Sequence, residues 1–188
     1  PVSLHPYATS HRAGEDVVRA ANRSGEIEAI VIRLSNAYGA PVHTDANCWM
    51  LLVNDLCRQA LKTKRMILRS SGEQRRDFIA VTDACRAIRH LLCLPAGKLG
   101  DGLFNVGGSS SPTVLEMTER VAGRILVVTG QRPEILRQEG HQKGSSESFD
   151  YVMKKLIRTG FALDGEANVD LEIDGLIRFC LQPVPHSL

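Results

Sequence analysis

The chain has 188 residues, enough to bury one sizeable core, and its charged and apolar fractions of 23% and 43% are ordinary for a globular protein. A formal net charge of +2, with basic residues spread along the chain, gives no reason to expect a nucleic-acid partner or an anionic membrane. No apolar run approaches the roughly 20 residues that cross a bilayer, and residues 1–11 lack a signal-peptide pattern.

Helices and strands are predicted in alternation. Apolar and small residues with helical spacing predict a helix over 6–22 that ends near Gly25. The β-branched run over 27–34 predicts a strand buried on both faces, as in a parallel sheet. Further helices are predicted over 47–61, from a cap at Thr82 or Asp83 to 94, from 112 to about 128, over 150–159 and over 169–181. Further strands are predicted over 66–69, 78–81 and 103–106. The polar segment 138–148 predicts a mobile loop, and the alternation predicts a single α/β region over 1–188.

Cysteine and histidine usage bears on location and on metal binding. Five cysteines form no CxxC pair and are odd in number, which indicates reduced, mostly buried thiols in a cytoplasmic protein. The six histidines are scattered, with no metal-ligand spacing among them, so no metal site is predicted.

Tyr7 and His11 lie four residues apart at the start of the first predicted helix, so they share one face. A phenol has a reference pKa of about 10, which must be lowered before the group acts as a base near neutral pH. A permanent cation one helical turn away lowers it, but histidine is mostly neutral at pH 7 and is shorter than lysine. Taken alone, this pair indicates an ordinary surface contact.

Asn36 and Arg76 are candidate ligands of an anion. Asn36 follows the buried strand at its carboxyl end, where open α/β sheets bind ligands, and its amide can donate to a phosphate oxygen. The alternative is a capping or turn asparagine. Arg76 precedes a strand, and its permanently charged fork suits a diphosphate. The alternative for Arg76 is a salt bridge to Asp83.

Three segments together carry a family resemblance: Tyr7-Ala8-Thr9-Ser10-His11, Arg33-Leu34-Ser35-Asn36-Ala37-Tyr38-Gly39 and Arg76-Asp77-Phe78-Ile79. In this order they resemble the second half of an extended short-chain dehydrogenase/reductase, in the NAD-dependent epimerase/dehydratase family of nucleotide-sugar enzymes. The resemblance implies a partial Rossmann-like α/β fold that lacks the N-terminal dinucleotide-binding half and includes the small C-terminal substrate-binding region. No glycine-rich cofactor turn is found, because the glycines over 97–102 precede a strand.

The resemblance also implies roles for the candidate residues. Tyr7 would be the proton acceptor, and His11 stands where the family has a lysine; both would contact NAD or NADP. Asn36 and Arg76 would bind the diphosphate of a nucleoside-diphosphate sugar, and either Arg132 or Arg137 would add a nucleotide contact. Asn105 and Gly107, in a segment that resembles the family's FNVG turn, are expected to be structural.

The resemblance further implies a homodimer formed through the helix that carries Tyr7. Because the cofactor half is expected to lie outside the chain, we expect this chain alone to bind no NAD or NADP and to show little turnover. Two other interpretations stay open. One is a catalytically decayed pseudoenzyme or scaffold that binds a sugar nucleotide or only a protein partner. The other is a self-contained structural fragment that associates through exposed strand edges or through the helix that carries Tyr7.

Overall fold

The computed structural model describes residues 5–137 and 150–182, so the predicted loop over 138–148 lies outside the described residues. The described helices are α1 (Pro6–Ser24), α2 (Leu52–Thr63), α3 (Val81–Leu92), α4 (Val114–Thr129), α5 (Lys154–Ile157) and α6 (Glu166–Leu181). The described strands are β1 (Val31–Leu34), β2 (Asn36–Tyr38), β3 (Arg65–Leu68), β4 (Phe78–Ala80), β5 (Leu103–Val106) and β6 (Glu134–Arg137). None of these helices has the length and hydropathy needed to cross a membrane.

The strands form three parallel pairs, β1 with β5, β2 with β4, and β3 with β6. In the first pair Leu34 lies opposite Val106, and in the second Asn36 lies opposite Phe78. Only Ser35 separates β1 from β2, so Asn36 lies where the chain passes from one pair to the next. Parallel strands flanked by helices confirm the predicted α/β class.

Two apolar cores hold these elements together. The larger one lies between α2, α4 and α6 and the buried sides of β2, β3 and β4, and includes Leu56, Met66, Val121, Ile173 and Leu176. The smaller one joins α3 and β5 to the segment around α5, and includes Ala87, Leu91, Phe104, Leu156 and Phe161.

Helix α1 lies outside both cores. None of its 19 residues is buried, and Tyr7 and Val17 are 66% and 69% exposed. The strand predicted over 27–34 begins only at Val31, and Leu34 is 46% exposed. The expectation of burial on both faces is therefore wrong for the described residues. β1 is bonded to β5 on one edge, and no described strand pairs with its other edge.

Other predicted boundaries also change. α2 begins at Leu52 rather than at 47, and the helix predicted over 150–159 shortens to Lys154–Ile157. Neither Thr82 nor Asp83 caps α3, because the extended residue before this helix is Ala80 and both side chains lie in its first turn. Strand β6 was not predicted from the sequence.

Candidate functional site

A cavity of about 590 Å³ opens between α2, β3 and the segment that leads into β4. Asn36 and Arg76, the two predicted diphosphate ligands, both line it. They come from separate parts of the chain and meet because β2 pairs with β4, which places Asn36 opposite Phe78. The cavity has the size of a typical small-molecule site.

The Asn36 side chain is partly committed to the fold. Its Nδ2 donates to the backbone oxygen of Asp77 at 2.8 Å, and its backbone N–H donates to the same oxygen at 3.3 Å. This is a structural role within the strand pairing, and not the capping or turn role given as the alternative, because Asn36 begins β2. A primary amide has two N–H groups and one acceptor oxygen, so one N–H and Oδ1 remain for a ligand.

The Arg76 side chain is exposed, and its guanidinium forms no ion pair within residues 5–137 and 150–182. The alternative salt bridge to Asp83 is not observed, because Asp83 pairs with Arg86. The neighbouring Arg75 points elsewhere, donating to the Ser111 backbone oxygen at 3.0 Å. The backbone N–H of Arg76 donates to the Pro112 oxygen at 3.0 Å, which fixes the start of its side chain at the cavity wall.

Sequence reasoning missed the side chains that reach the cavity from α2, from the segment before it and from the end of β3, among them Trp49, Arg58 and Arg69. The Arg58 guanidinium carbon lies 5.3 Å from the centroid of the Trp49 ring and its Nη2 lies 3.0 Å from Asp55. Arg69 forms no ion pair in the described part of the chain. No local motif marks these residues, since only the packing of α2 against β3 brings them together.

Cationic groups dominate the charge of this cavity. Arg58, Arg69 and Arg76 line it, and Asp55 is the lining carboxylate. Asp55 is already bonded to Arg58 and accepts from Gln59 Nε2 at 2.6 Å. Two guanidinium groups therefore remain available for an anion, and planar guanidinium groups bind phosphate oxygens in pairs.

Tyr7 and His11 contact each other, with ring centroids 4.2 Å apart, but they are not among the described residues that line the cavity. The contacts of α1 with β1 give their place along the sheet. Asn22 Oδ1 accepts from Ala29 N at 2.8 Å near the start of β1, whereas Glu15 bonds Arg33 near its end. The helix thus runs antiparallel to β1, and its N-terminus lies at the carboxyl end of β1, where Asn36 follows.

The other sequence candidates lie elsewhere. Arg132 pairs with Glu119 at 2.6 Å, and neither it nor Arg137 is among the described lining residues. Asn105 Nδ2 donates to the Val152 oxygen at 3.1 Å, as expected for a structural residue. Gly107 lies directly under the Tyr151 ring, where a Cβ atom would approach ring carbon Cδ1 to 2.4 Å.

The glycine turn between β5 and α4 does not fit the pyrophosphate of a dinucleotide. The glycine turn that leads from β5 into α4 is Gly107-Gly108, and a Cβ at Gly108 would lie 2.0 Å from the Phe78 oxygen. The turn is therefore filled by the protein itself. The carboxylate of Glu116 already accepts from the Thr113 backbone N–H at 2.7 Å at the start of α4. We assign no step of hydride transfer to the described residues.

Comparison with known proteins gives relatives among nucleotide-sugar enzymes. The chain is 28% identical over 144 residues to a dTDP-glucose 4,6-dehydratase of Xanthomonas campestris pv. campestris (strain B100), which covers 77% of this chain and 37% of that enzyme. It is 27% identical over 124 residues to the uncharacterized UDP-glucose epimerase YtcB of Bacillus subtilis (strain 168), covering 64% and 37% of the two chains. The chain therefore spans well under half the length of these curated relatives.

Solved structures share the fold. The UDP-N-acetylglucosamine 4-epimerase of Methanobrevibacter ruminantium M1, in complex with UDP-N-acetylmuramic acid, superposes with a TM-score of 0.74 at 17% identity, over 95% of this chain and 54% of that one. The dTDP-glucose 4,6-dehydratase of Bacillus anthracis str. Ames, in complex with NAD, gives 0.69 at 22% identity, over 95% and 53%. These superpositions confirm the expected partial Rossmann-like fold.

The family model of the NAD dependent epimerase/dehydratase family matches residues 1–107. This match covers more than half of the 188 residues and includes Tyr7, Asn36 and Arg76. The chain belongs to the NAD dependent epimerase/dehydratase family.

Proposed function

We propose that this chain is the substrate-binding portion of an NAD(P)-dependent epimerase or dehydratase that acts on a nucleoside-diphosphate sugar. The observation that carries the proposal is the convergence of Asn36 and Arg76 on one cavity, where the Arg76 guanidinium has no ionic partner in the described part of the chain. The similarity to a dTDP-glucose 4,6-dehydratase, and the fold shared with enzymes solved with UDP-sugars or NAD, support it.

Within the cavity the diphosphate would lie against Arg76 and the free amide N–H of Asn36, with Arg69 as a further cation. The nucleoside would extend along the part of the cavity lined by Trp49 and Ile67. Aromatic and apolar surface with a few polar anchors is the usual composition of a small-molecule site.

In the same proposal Tyr7 and His11 handle a proton at the sugar. Their ring centroids lie 4.2 Å apart, so the two side chains would act together on the same part of the sugar. NAD or NADP, bound by the whole protein, would supply hydride acceptance and return at a sugar carbon. Because the described residues contain no fitting pyrophosphate turn, we propose that this chain alone binds no cofactor and turns over little substrate.

Titration of the chain with UDP-glucose and dTDP-glucose by isothermal calorimetry tests the proposal. We expect binding that Arg76→Ala weakens about 50-fold, or roughly 2–3 kcal/mol, because a charge-assisted hydrogen bond is lost. Arg75→Ala is the matched control, since the Arg75 side chain bonds Ser111 and lies outside the lining set. Absence of binding across a series of nucleoside-diphosphate sugars would contradict the proposal.

A second candidate is a pseudoenzyme or scaffold that binds a sugar nucleotide, or only a protein partner, without catalysis. This interpretation is favoured by His11, which stands in the position where the resemblance places a lysine. Replacement of His11 by lysine in the full-length protein distinguishes the two. Gain of NAD-dependent turnover would indicate decay, whereas turnover by the wild type that the variant loses would indicate an enzyme adapted to histidine.

We further propose that residues 1–188 act as a single region, that the protein is cytoplasmic, and that it forms a homodimer through α1. The proposed dimer follows from the family resemblance, and the exposed apolar residues of α1, such as Val17, are consistent with it. Size-exclusion chromatography with light scattering tests it. A monomer at all concentrations would exclude the homodimer and also the fragment that associates through its strand edges.

A further inference from the structure

The ion pair between Glu15 on α1 and Arg33 on β1 joins the helix that carries Tyr7 and His11 to the sheet. Glu15 Oε2 accepts from Arg33 Nε at 2.9 Å, and Oε1 accepts from Arg33 Nη2 at 2.7 Å. The Glu15 side chain is only 10% exposed, in a helix without a buried residue. The hydrogen bond from Arg33 lowers the pKa of Glu15. Parallel, two-point bonding of this kind fixes orientation as well as distance.

Two further polar contacts also place α1. They are an ion pair from Arg19 to Asp101 at 3.5 Å and the bond from Ala29 N to Asn22. Both lie toward the C-terminal half of α1. Of these three contacts, the pair of Glu15 with Arg33 lies nearest to Tyr7 and His11, and no residue of α1 is buried in an apolar core.

Arg33 also connects this tie to the end of the sheet. Its backbone oxygen accepts from the Tyr151 hydroxyl at 2.7 Å, and Tyr151 packs on Gly107 at the end of β5. Three residues after Arg33, Asn36 enters the cavity wall. Arg33 thus contacts α1 through its side chain and Tyr151 through its carbonyl. The strand that follows it carries Asn36 to the cavity.

We propose that Glu15 is a positioning residue that, through Arg33, holds Tyr7 and His11 at a fixed place relative to the nucleotide-sugar cavity. The proposal rests on the proposed function of that cavity. Glu15 contacts neither ligand nor proton; it acts by setting the place of α1 on β1.

The chain offers a matched control on the same helix. Asp16 pairs with Arg12 at 3.2 Å, but both side chains are more than half exposed and the pair stays within α1. Glu15→Gln and Asp16→Asn each remove one carboxylate charge from the same helical turn, and only the first replaces a two-point ionic bond to β1 by at most one neutral acceptor. The double variant Glu15→Arg with Arg33→Glu restores the pair with reversed charges.

Hydrogen exchange in the 188-residue chain is the first measurement. We expect Glu15→Gln to accelerate exchange of the amides over 9–14 at least tenfold, with amides of α4 unchanged. Asp16→Asn should not change either set, and the reversed pair should restore protection over 9–14. Unchanged exchange over 9–14 in Glu15→Gln, or failure of the reversed pair to restore protection, would overturn the proposal.

A spectroscopic readout separates positioning from general stability. The sequence has three tyrosines, so 3-fluorotyrosine labelling gives three ¹⁹F signals that Tyr→Phe variants assign. We expect UDP-glucose to shift the Tyr7 signal in the wild type and not in Glu15→Gln, while both bind the sugar nucleotide with affinities within twofold. An equal Tyr7 shift in both proteins would overturn the proposal. If the wild type binds no sugar nucleotide, the proposed function fails, and the exchange experiment still decides the role of Glu15.

Discussion

The hydroxyl groups of Tyr38 and Tyr151 lie in different surroundings. Tyr38 is 1% exposed, and its hydroxyl oxygen has no hydrogen-bond partner in the described part of the chain. Burial raises the pKa of Tyr38 far above its usual value, so the group stays neutral. The Tyr151 hydroxyl donates to the Arg33 oxygen at 2.7 Å. A buried polar group without a partner costs stability, whereas a satisfied one contributes modestly.

Phenylalanine at these two positions should therefore act in opposite directions. We expect Tyr38→Phe to raise the free energy of unfolding by about 1 kcal/mol, because it removes an unpaired hydroxyl from the core. Tyr151→Phe should lower the free energy of unfolding by about 1 kcal/mol, because the hydrogen bond from Tyr151 to the Arg33 carbonyl is lost. Urea unfolding followed by circular dichroism measures both. A loss of stability in Tyr38→Phe would show that its hydroxyl has a partner.

The sequence predicts the cavity residues that lie directly next to a strand in the chain. Asn36 follows β1 and Arg76 precedes β4, so parallel pairing alone brings them to one cavity. Trp49 and Arg58 could not be predicted, because their contact with the cavity depends on how α2 packs against β3. Glu15 lies 18 residues from Arg33, and no spacing rule connects a helix residue with a particular strand residue at that distance.

At the level of elements, α4 and α6 are joined by a ladder of ion pairs. Arg120 bonds Glu166 and Asp170, and Arg124 bonds Asp174 at 2.7 Å and 2.6 Å. The partners follow the four-residue spacing of facing helical turns. Asp174 is 5% exposed and is therefore the carboxylate that depends most on its partner.

Removal of Arg124, the partner of the buried Asp174 carboxylate, should destabilise the protein. We expect Arg124→Leu to lower the free energy of unfolding by about 2–4 kcal/mol, because it leaves the Asp174 carboxylate buried without its two-point donor. Arg132→Leu is the control, since its pair with Glu119 is about half exposed and should contribute less than about 1 kcal/mol. Equal effects of the two changes in urea unfolding would contradict this account.

Two glycines test the packing of α4 and of the turn before it. Gly123 lies inside α4, and a Cβ there would meet only the end of the Arg132 side chain at 3.9 Å. Gly123→Ala should therefore stabilise the protein by about 0.5–1 kcal/mol through helix propensity. At Gly108 a Cβ would lie 2.0 Å from the Phe78 oxygen, so Gly108→Ala should destabilise by about 2 kcal/mol or more. Thermal unfolding measures both variants. We expect the transition temperature to rise in Gly123→Ala and to fall in Gly108→Ala.

Element boundaries were predictable where local signals are strong. Pro6 and Gly25 bound α1, and Thr113 begins α4 with a complete capping box. Strand β6 was missed because its four residues show no alternation, and it forms only by pairing with β3, which lies about 70 residues earlier. The helix over 150–159 was overestimated, since this segment is held mainly by packing of Leu156 and Phe161 into the smaller core.

The molecule as a whole is held in two ways. Its larger core joins α2, α4 and α6, whereas α1 is attached to the sheet by polar ties and has no buried residue. The attachment of α1 should therefore depend on charge more than the packing of α2, α4 and α6 does. A family match and a partial Rossmann-like fold were predictable from the order of three short segments, because that order reflects the order of the parallel strands.

The state of the carboxylates should make the stability of the whole molecule fall at acid pH. Hydrogen bonds from Arg33, Lys155 and Arg120 lower the pKa values of Glu15, Asp101 and Glu166 in the folded protein. Near pH 4, close to the unfolded glutamate pKa of about 4.3, the unfolded chain therefore binds more protons than the folded one, and stability falls as the pH falls through the folded values. Burial raises the pKa of Asp77, which acts in the opposite direction. Urea midpoints measured from pH 7 to pH 3 should decline below about pH 5. Glu166→Gln should flatten that decline, because it removes one of the carboxylates whose pKa is lowered in the folded protein. A midpoint that rises toward pH 3 would show that buried acids such as Asp77 control the acid response instead.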